Sequence, residues 1–427
     1  MEANILSYGA IGDGKTINTK AIQSAIDAVS QAGGGRVTIP AGCFVSGTIW
    51  LKDYVELHLE SGAVLKASAD FADYNAEDAY PQNFGSINEG WCGCHLLIAH
   101  RKKNVSITGF GKINGSGNAF TEEPHPMEEF AYIWAYGFAR EKDKEKRRPG
   151  QMLCFVECEH VRVLDVTMEN APAWTCFFHG CSCVTIRGIH IFNERYAANT
   201  DGLDIDTCRY VTISDCLIDT GDDAIAIRCD AARLQNGMTT CEHVTIANCV
   251  LASSSSVVRL GVGIGEIRHV VISNITIPRG GIAFNLITSY SARGRALLSD
   301  ILVENVIAEN VGYPIRLQER NQAFIRHVVF RGLRFKTFSC LSMIAESTGA
   351  VSDITVKDVE MEIVPPPFLP CKIAAEQHGD VPVYLYRAAR VRFENVRVNI
   401  PQALAHEWKD MTYIAECADI QRIDCNF

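Results

Sequence analysis

The feature that most constrains the fold is a short pattern that returns ten times along the 427-residue chain. Each copy begins with Val or Ile, and the residues two and five positions later are apolar. The residue four positions later is always Asn, Asp or Gly. The copies begin at Val105, Val161, Val184, Val211, Val244, Val270, Ile301, Val328, Ile354 and Val391. Alternating apolar positions indicate a β-strand with one inward face, and Asn, Asp and Gly tolerate the positive φ of a sharp bend.

The spacing of the copies indicates how these strands are arranged. From Val161 onwards, neighbouring copies lie between 23 residues (Val161 to Val184) and 37 residues (Ile354 to Val391) apart. Self-similarity at periods of about 20–50 residues is typical of solenoids. A β-sandwich also has short alternating strands, but it would not place the same bend residue in every unit. We therefore predict an all-β fold, a parallel β-helix in which Asn side chains at the bends hydrogen-bond along the axis.

One elongated domain is expected to span residues 1–427, because a solenoid grows by adding rungs to a single core. Residues 1–45 are predicted to form an N-terminal cap that contains a helix from Thr19 to Ala32, ended by three glycines. Residues 68–94 and 118–150 interrupt the repeat and are expected to form insertions at the rim. Residues 413–427 are predicted to form a C-terminal cap.

Composition and charge restrict the partners of the chain. A net charge of −10 argues against nucleic acid, and an acidic substrate would need a local cationic pocket. No signal peptide or membrane-length apolar stretch is visible, so no membrane partner is expected. Seventeen cysteines, an odd number with many at inward positions, favour a reducing cytoplasm. No second ligand cluster completes a metal site with Cys92, Cys94 and His95, so neither a metal nor another cofactor is expected.

Three aspartates are separated by one repeat length. Asp201 follows Asn199-Thr200, and the pair Asp222–Asp223 follows Gly221. On neighbouring rungs, about 4.8 Å apart, these carboxylates would form one acidic patch. Nearby like charges raise the pKa of a carboxyl group, and this suits acid/base chemistry. The structural alternative is that the aspartates cap turns, as is expected of Asp204, Asp206, Asp215 and Asp219.

The segments Asn199-Thr200-Asp201-Gly202 and Gly221-Asp222-Asp223, on successive coils, resemble the polygalacturonase family, glycoside hydrolase family 28. The resemblance extends over most of the chain, and it implies a right-handed β-helix that hydrolyses a glycosidic bond with inversion. It also implies that Asp222 is the general acid, and that Asp201 and Asp223 hold and activate the attacking water. Inverting enzymes hold their acid and base about 6.5–9.5 Å apart.

Two elements of the family pattern are missing from this chain. Where the family has Gly-His-Gly, residues 253–261 read Ser-Ser-Ser-Ser-Val-Val-Arg-Leu-Gly and contain no histidine. Where the family has Arg-Ile-Lys, whose cations hold the galacturonate carboxylate, Ala283 and Asn285 occupy the two cationic positions. The hydrolytic carboxylates are therefore kept, while the groups that recognise a uronate are not.

Five further residues are predicted to contact a substrate: Asn199, His179, Arg228, Arg259 and Tyr313. Arg259 would take over part of the lost cationic role, and Arg228 follows the aspartate pair where the family often has Lys. Each arginine is alternatively a rung residue of the solenoid. Tyr313 resembles a tyrosine that lines the family's site. His179 either faces the cleft or packs in a turn.

Three functions follow from these observations. The first is an exo-acting, inverting glycosidase that cleaves a pectin-related oligosaccharide with a neutral sugar at the cleaved unit, rather than plain polygalacturonate. The second is a β-helix lyase, epimerase or intramolecular glycosyl transferase, which an unsaturated or anhydro product would reveal. The third is a sugar-binding solenoid without catalysis. Retention of all three aspartates favours an enzyme, and the sequence does not predict the oligomeric state.

Overall fold

The computed structural model describes residues 1–76, 92–120, 148–195, 197, 199–290, 292–365 and 381–427. These ranges contain 31 β-strands, one α-helix and short 3-10 turns. The strands form ladders of parallel pairs along three faces of a right-handed parallel β-helix. The all-β solenoid predicted from the sequence repeat is therefore confirmed.

The strands of face 1 and face 2 lie on either side of the predicted bend. Strands confined to face 1 are β1 (Glu2–Asn4), β3 (Gly35–Ile39), β6 (Val55–Leu59), β9 (Lys103–Gly109), β12 (Glu159–Leu164), β15 (Ser182–Arg187), β18 (Arg209–Ser214) and β31 (Ala418–Ile423). Strands confined to face 2 are β2 (Asp13–Ile17), β4 (Gly42–Ser46), β7 (Ala63–Ala67), β10 (Lys112–Asn114), β13 (Thr167–Glu169), β16 (His190–Phe192) and β19 (Leu217–Thr220).

Face 3 is the face that precedes face 1 in each later coil. It contains β5 (Ile49–Trp50), β8 (Leu97–His100), β11 (Leu153–Val156), β14 (Cys176–His179), β17 (Leu203–Asp206), β20 (Ile225–Asp230), β23 (Gly280–Ile287), β26 (Leu341–Ala345), β28 (Val383–Tyr386) and β30 (Thr412–Ala415). Longer strands continue through a bend from one face to the next: β21 (Thr240–Ser253), β22 (Ser256–Ile277), β24 (Arg295–Glu319), β25 (Phe324–Thr337), β27 (Val351–Ile363) and β29 (Ala389–Asn399).

The register of face 1 is the register of the sequence repeat. Val105 stands opposite Val161, and each later Val or Ile of the pattern stands opposite the next, as far as Val391. All ten of these side chains are buried in one continuous apolar core. The repeat therefore aligns the rungs because each coil presents the same inward residue type at the same place.

The residue four positions into each copy has a positive φ in all ten coils, from 52° at Asn395 to 106° at Gly109. The predicted side-chain ladder is also present, since Asn274 Nδ2 donates to Asn248 Oδ1 at 3.1 Å and Asn305 Nδ2 donates to Asn274 Oδ1 at 2.6 Å. The sequence did not predict a second bend, in which the residue before each copy also has a positive φ. These residues are Asn104, His160, Cys183, Tyr210, His243, His269, Asp300, His327, Asp353 and Arg390.

The two ends of the solenoid differ. Helix α1 (Thr19–Gln31) buries its apolar side chains in the core beside the first strands, as a cap does: Ile22, Ala25, Ile26 and Val29. Residues 1–45 also contain β1 to β3 and most of β4, so part of the predicted cap forms rungs of the solenoid. The segment predicted as the C-terminal cap, 413–427, contains β31 and most of β30, which pair with β29 and β28. That segment satisfies the backbone groups of the previous coil and forms another rung.

Much of the two predicted insertions, 68–94 and 118–150, lies outside the described residues. Within the described part of the chain, no helix is long and apolar enough to cross a membrane. The 16 cysteines in the described ranges all carry free thiols, and most of them are buried.

Candidate active site

The candidate site lies on the outward side of face 3, at the start of β17 and β20. Leu203 of β17 stands opposite Ile225 of β20, and both side chains point into the core. Asp201 and Asp223 each lie two residues before these core positions, so they stand opposite each other on neighbouring rungs. The Gly202 amide donates to the Asp223 carbonyl at 2.9 Å and continues this register.

The structure brings Asp201, Asp222 and Asp223 together. At least one carboxylate oxygen of each residue lies within 4.8 Å of the others. Their closest oxygens are therefore nearer than the acid–base separation of about 6.5–9.5 Å that inverting glycosidases show. The reason is geometric, because Asp222 and Asp223 are adjacent in the chain and Asp201 lies on the neighbouring rung, about 4.8 Å away.

Asp223 is held by donors from the next rung. Its Oδ1 accepts hydrogen bonds from the Ser255 hydroxyl and from the Ser256 amide, each at 3.0 Å. Its Oδ2 accepts a hydrogen bond from Arg259 Nε, and both side chains of this ion pair are buried. Three donors around one carboxylate fix its orientation. Ser255 and Ser256 lie in the stretch where the family has Gly-His-Gly.

Asp201 and Asp222 have unusual protonation properties. Burial has the larger effect on Asp222 and, together with the negative charge of Asp223, raises its pKa from 3.8 to about 6. Burial is also the larger cause for Asp201 and, together with the negative charge of Asp222, raises its pKa well above the ordinary value of 3.8. Asp201 Oδ1 is buried and accepts no hydrogen bond from any described residue. The cluster therefore keeps a proton in mildly acidic solution, as general acid catalysis requires.

Arg259 lies beside the aspartates and pairs with Asp223, while its contact with substrate stays a prediction. It is an outward residue of β22, and its Nη1 donates to the Gly261 carbonyl at 3.3 Å. Its guanidinium carbon lies 5.7 Å from the ring centroid of Tyr290, a half-exposed residue that follows β23. Tyr290 lies outside the repeat and no sequence pattern points to it, because only the fold brings it to Arg259.

Arg228 and His179 lie in a buried network rather than in an open cleft. Arg228 is fully buried, with its guanidinium carbon 4.6 Å from the Trp174 ring centroid and its Nε 3.6 Å from Asp206 Oδ2. His179 is also fully buried, with Nε2 3.2 Å from the Asp230 carbonyl oxygen and 3.8 Å from Asp206 Oδ1. We therefore correct the prediction that these two residues contact substrate, because neither exposes surface to a ligand.

Of the other two predicted substrate contacts, Asn199 lies two residues before Asp201 in the chain, whereas Tyr313 lies on a more distant rung. Asn199 Oδ1 accepts a hydrogen bond of 2.7 Å from Arg148 Nη2, so this side chain anchors the loop that carries Asp201. Tyr313 is a buried residue of β24 that packs on Ile282 in a small cluster separate from the main core. It stands three rungs from Asp223, about 14 Å along the axis. Asp223 is hydrogen-bonded to Ser256 on the next rung, Ser256 pairs with Ile282, and Ile282 pairs with Tyr313.

Two clusters in the described ranges bring metal-binding groups close together. One is the aspartate cluster, where Arg259 already supplies a positive charge. The other consists of Glu242, His243 and His269 on the surface. There Arg268 Nε already donates to Glu242 at 2.8 Å, and the two imidazole rings stack with their centroids 4.8 Å apart. The absence of a metal or other cofactor from the reaction therefore stays a prediction.

Comparisons with known proteins agree with this architecture. The sequence model described as Glycosyl hydrolases family 28 matches residues 35–323. A probable polygalacturonase from Vitis vinifera is 25% identical over 361 residues, which cover 82% of this chain and 64% of the relative. An exo-poly-alpha-D-galacturonosidase from Dickeya chrysanthemi is 32% identical over 256 residues, which cover 52% of this chain and 41% of the relative. The chain thus spans less than two thirds of these curated relatives.

Among solved structures, a hyperthermoactive exopolygalacturonase from Thermotoga maritima is similar, with a TM-score of 0.72 at 24% identity. The alignment covers 93% of this chain and 92% of that protein. This likeness shows the shared β-helix fold.

Proposed function

Since the chain belongs to glycosyl hydrolases family 28, we propose that it hydrolyses a glycosidic bond in a pectin-related oligosaccharide. The observation that carries this proposal is the meeting of Asp201, Asp222 and Asp223 on neighbouring rungs. One of them, Asp222, is partly exposed and has a pKa of about 6. A carboxyl group that keeps its proton within reach of further acidic side chains suits glycoside hydrolysis.

The proposed mechanism divides acid and base roles among the three carboxyl groups. Asp222 donates its proton to the glycosidic oxygen as the bond to the anomeric carbon breaks. A water molecule attacks that carbon from the opposite side and gives its proton to Asp223, while Asp201 orients the water. Ser255 and Arg259 hold the Asp223 carboxylate in one orientation, and this reduces the reorganisation that the transition state requires. Attack from the opposite side inverts the anomeric centre.

The substrate proposal follows from the cations that the site lacks. Ala283 and Asn285 are buried where the family has Arg and Lys, and Asn285 Nδ2 donates to the Ser256 hydroxyl at 3.1 Å. Arg259 is the cation nearest the carboxylates in the described part of the site, and it is already paired with Asp223. The cleaved unit therefore is a neutral sugar, and plain polygalacturonate is a poor substrate. Exo action is supported by the exo-acting enzymes among the similar proteins.

The test is turnover on a panel of pectin-derived oligosaccharides labelled at the reducing end. We expect Asp222→Asn to lower kcat/KM by about 10²–10⁴-fold, as loss of a general acid does. Asp215→Asn is the matched control. Asp215 lies at the bend that follows β18, away from the three aspartates, and its carboxylate accepts a hydrogen bond from the Asn248 side chain. Equal rates for the wild type and Asp222→Asn on every cleaved substrate would overturn the proposed site. A product that absorbs in the ultraviolet and disappears with a chelator would identify a lyase instead.

A further inference from the structure

A second arginine lies in the same outward row as Arg259. On face 3, Arg259 stands opposite Asn285, and Asn285 stands opposite Arg316 of β24. The neighbours of Arg316 in the strand, Ile315 and Leu317, are fully buried in the core. Arg316 must therefore point outward, as does Arg259, which pairs with Asp223. Two rungs separate its Cα from that of Arg259, about 10 Å along the axis.

The two arginines differ in how their charges are compensated. Arg259 pairs with Asp223, whereas Arg316 forms no ion pair with any described residue. Its Nη2 donates to the Gln318 side chain at 2.9 Å, and its Nε is buried without an acceptor among the described residues. A largely buried cation without a counter-ion is unfavourable. Such an arrangement is retained in binding sites where a ligand supplies the missing anion.

The surroundings of Arg316 have the composition of a sugar subsite. The guanidinium carbon lies 5.8 Å from the ring centroid of Tyr313, and the half-exposed Tyr290 contacts the Arg259 guanidinium on the other side. Between the two arginines, Asn285 Oδ1 is buried and accepts no hydrogen bond from the described residues. Aromatic surface, one free amide oxygen and one uncompensated cation together suit a ring that carries hydroxyl groups and a negative charge.

We infer that Arg316 binds an anionic group, a carboxylate or a sulfate, on a sugar unit next to the cleaved one. This inference rests on the proposed function and names a further feature of its substrate. The site then recognises a mixed oligosaccharide, with a neutral unit at the aspartates and an acidic unit about two rungs away. Arg316 acts by binding in the ground state and in the transition state alike, so its loss changes KM and leaves kcat unaltered.

The kinetic test compares oligosaccharides that differ at one unit, which carries a carboxylate, a reduced and therefore neutral hydroxymethyl group, or a sulfate. For the wild type we expect the anionic forms to have KM values about 10–100-fold below that of the neutral form. Arg316→Gln should remove this preference, whereas Arg316→Lys, which keeps the charge, should restore part of it. Arg334→Gln, a change of an exposed arginine on β25, is the matched control and should have no effect. Comparing the KM values of the carboxylate and sulfate oligosaccharides shows which of the two anions the site prefers.

A binding experiment separates this inference from the proposed function. Calorimetry with the same oligosaccharides is done on Asp222→Asn and on Asp222→Asn/Arg316→Gln. Weaker binding of the anionic forms to the double variant supports the Arg316 site, even if no substrate is ever cleaved. Equal binding to both variants overturns it, even if hydrolysis is confirmed. Thermal unfolding of each variant shows that it is folded, and Arg316→Lys provides the test if Arg316→Gln does not fold.

Discussion

Asp223 and Arg259 form a buried ion pair across neighbouring rungs of face 3. Arg259 Nε donates a hydrogen bond to Asp223 Oδ2. In the sheet, Arg259 of β22 stands opposite Ala226 of β20, the strand that begins just after Asp223. Three carboxyl groups thus face one guanidinium. Burial is the larger cause of the raised pKa values of Asp201 and Asp222, and the charges of neighbouring aspartates add to it, because one positive charge does not balance three negative ones.

The first prediction concerns pH dependence. Asp222 must be protonated to act as the acid, and its pKa is about 6, so kcat/KM should fall as the pH rises through about 6. The Arg259 charge lowers the pKa of Asp222. We therefore expect Arg259→Met to move this alkaline limb to higher pH and to lower the maximal rate, since Asp223 loses its partner. The measurement is a profile of kcat/KM from about pH 4 to about pH 9; an unmoved limb would contradict the assignment.

The second prediction concerns the stability cost of the site. The pKa of Asp201 in the folded protein lies above its ordinary value of 3.8, so the contribution of Asp201 to stability is lost as the pH rises through the folded value. Asn cannot ionise. We therefore expect Asp201→Asn to be inactive but to raise Tm by a few degrees at about pH 8, with little change at about pH 3. Asp215→Asn is the control, and a pH-independent difference would contradict the account.

The third prediction tests the bend. Asn274 has φ 57°, and its side chain is hydrogen-bonded to those of Asn248 and Asn305 on the two neighbouring rungs. Valine in this left-handed conformation costs about 1–2 kcal/mol, and the side-chain bonds are lost as well. We expect Asn274→Val to lower the free energy of unfolding in urea by about 2–3 kcal/mol. Asn274→Gly, which accepts the backbone conformation, should lose less; equal losses would show that conformation is not the cause.

The fourth prediction tests the correction made for Arg228. Replacing Arg228 by Leu leaves Asp206 buried without this cationic neighbour, which typically costs about 3–5 kcal/mol. We expect a large drop in the free energy of unfolding, while KM of the remaining folded enzyme stays unchanged. A raised KM with normal stability would restore Arg228 to the substrate contacts.

The fifth prediction concerns stereochemistry. The closest oxygens of the three carboxylates lie within 4.8 Å of one another, closer than in most inverting enzymes. We nevertheless expect inversion, because Asp201 and Asp223 stand side by side and can hold one water between them. Proton NMR of the first product formed identifies its anomer before mutarotation. A retained anomer would show that one aspartate attacks the sugar directly.

The repeat allowed the sequence to predict the register of the solenoid. Every coil needs an apolar residue inside and a residue that tolerates positive φ at the bend, so Val270 and Asn274 carry this information in their own chemistry. The same register places Asp201 opposite Asp223. Local pattern and global fold agree here because each rung pairs only with its neighbours.

The second bend shows where sequence reasoning stops. Its residues, among them Tyr210, His243 and Arg390, share a positive φ but no side-chain property, so the paired strands on either side must impose that conformation. Burial of Arg228 over Trp174, and of His179 beside Asp206, likewise depends on side chains from several coils that pack together.

From its amino acids alone, the chain specifies which residues form each rung and which acids share a face, because both follow from a periodic pattern. Only the folded protein decided how close those acids lie and which arginine pairs with an acid. These properties arise from the rung spacing and from contacts between residues that are distant in sequence. The pairing of Arg259 with Asp223, and the absence of an acidic partner for Arg316 among the described residues, are therefore products of tertiary structure.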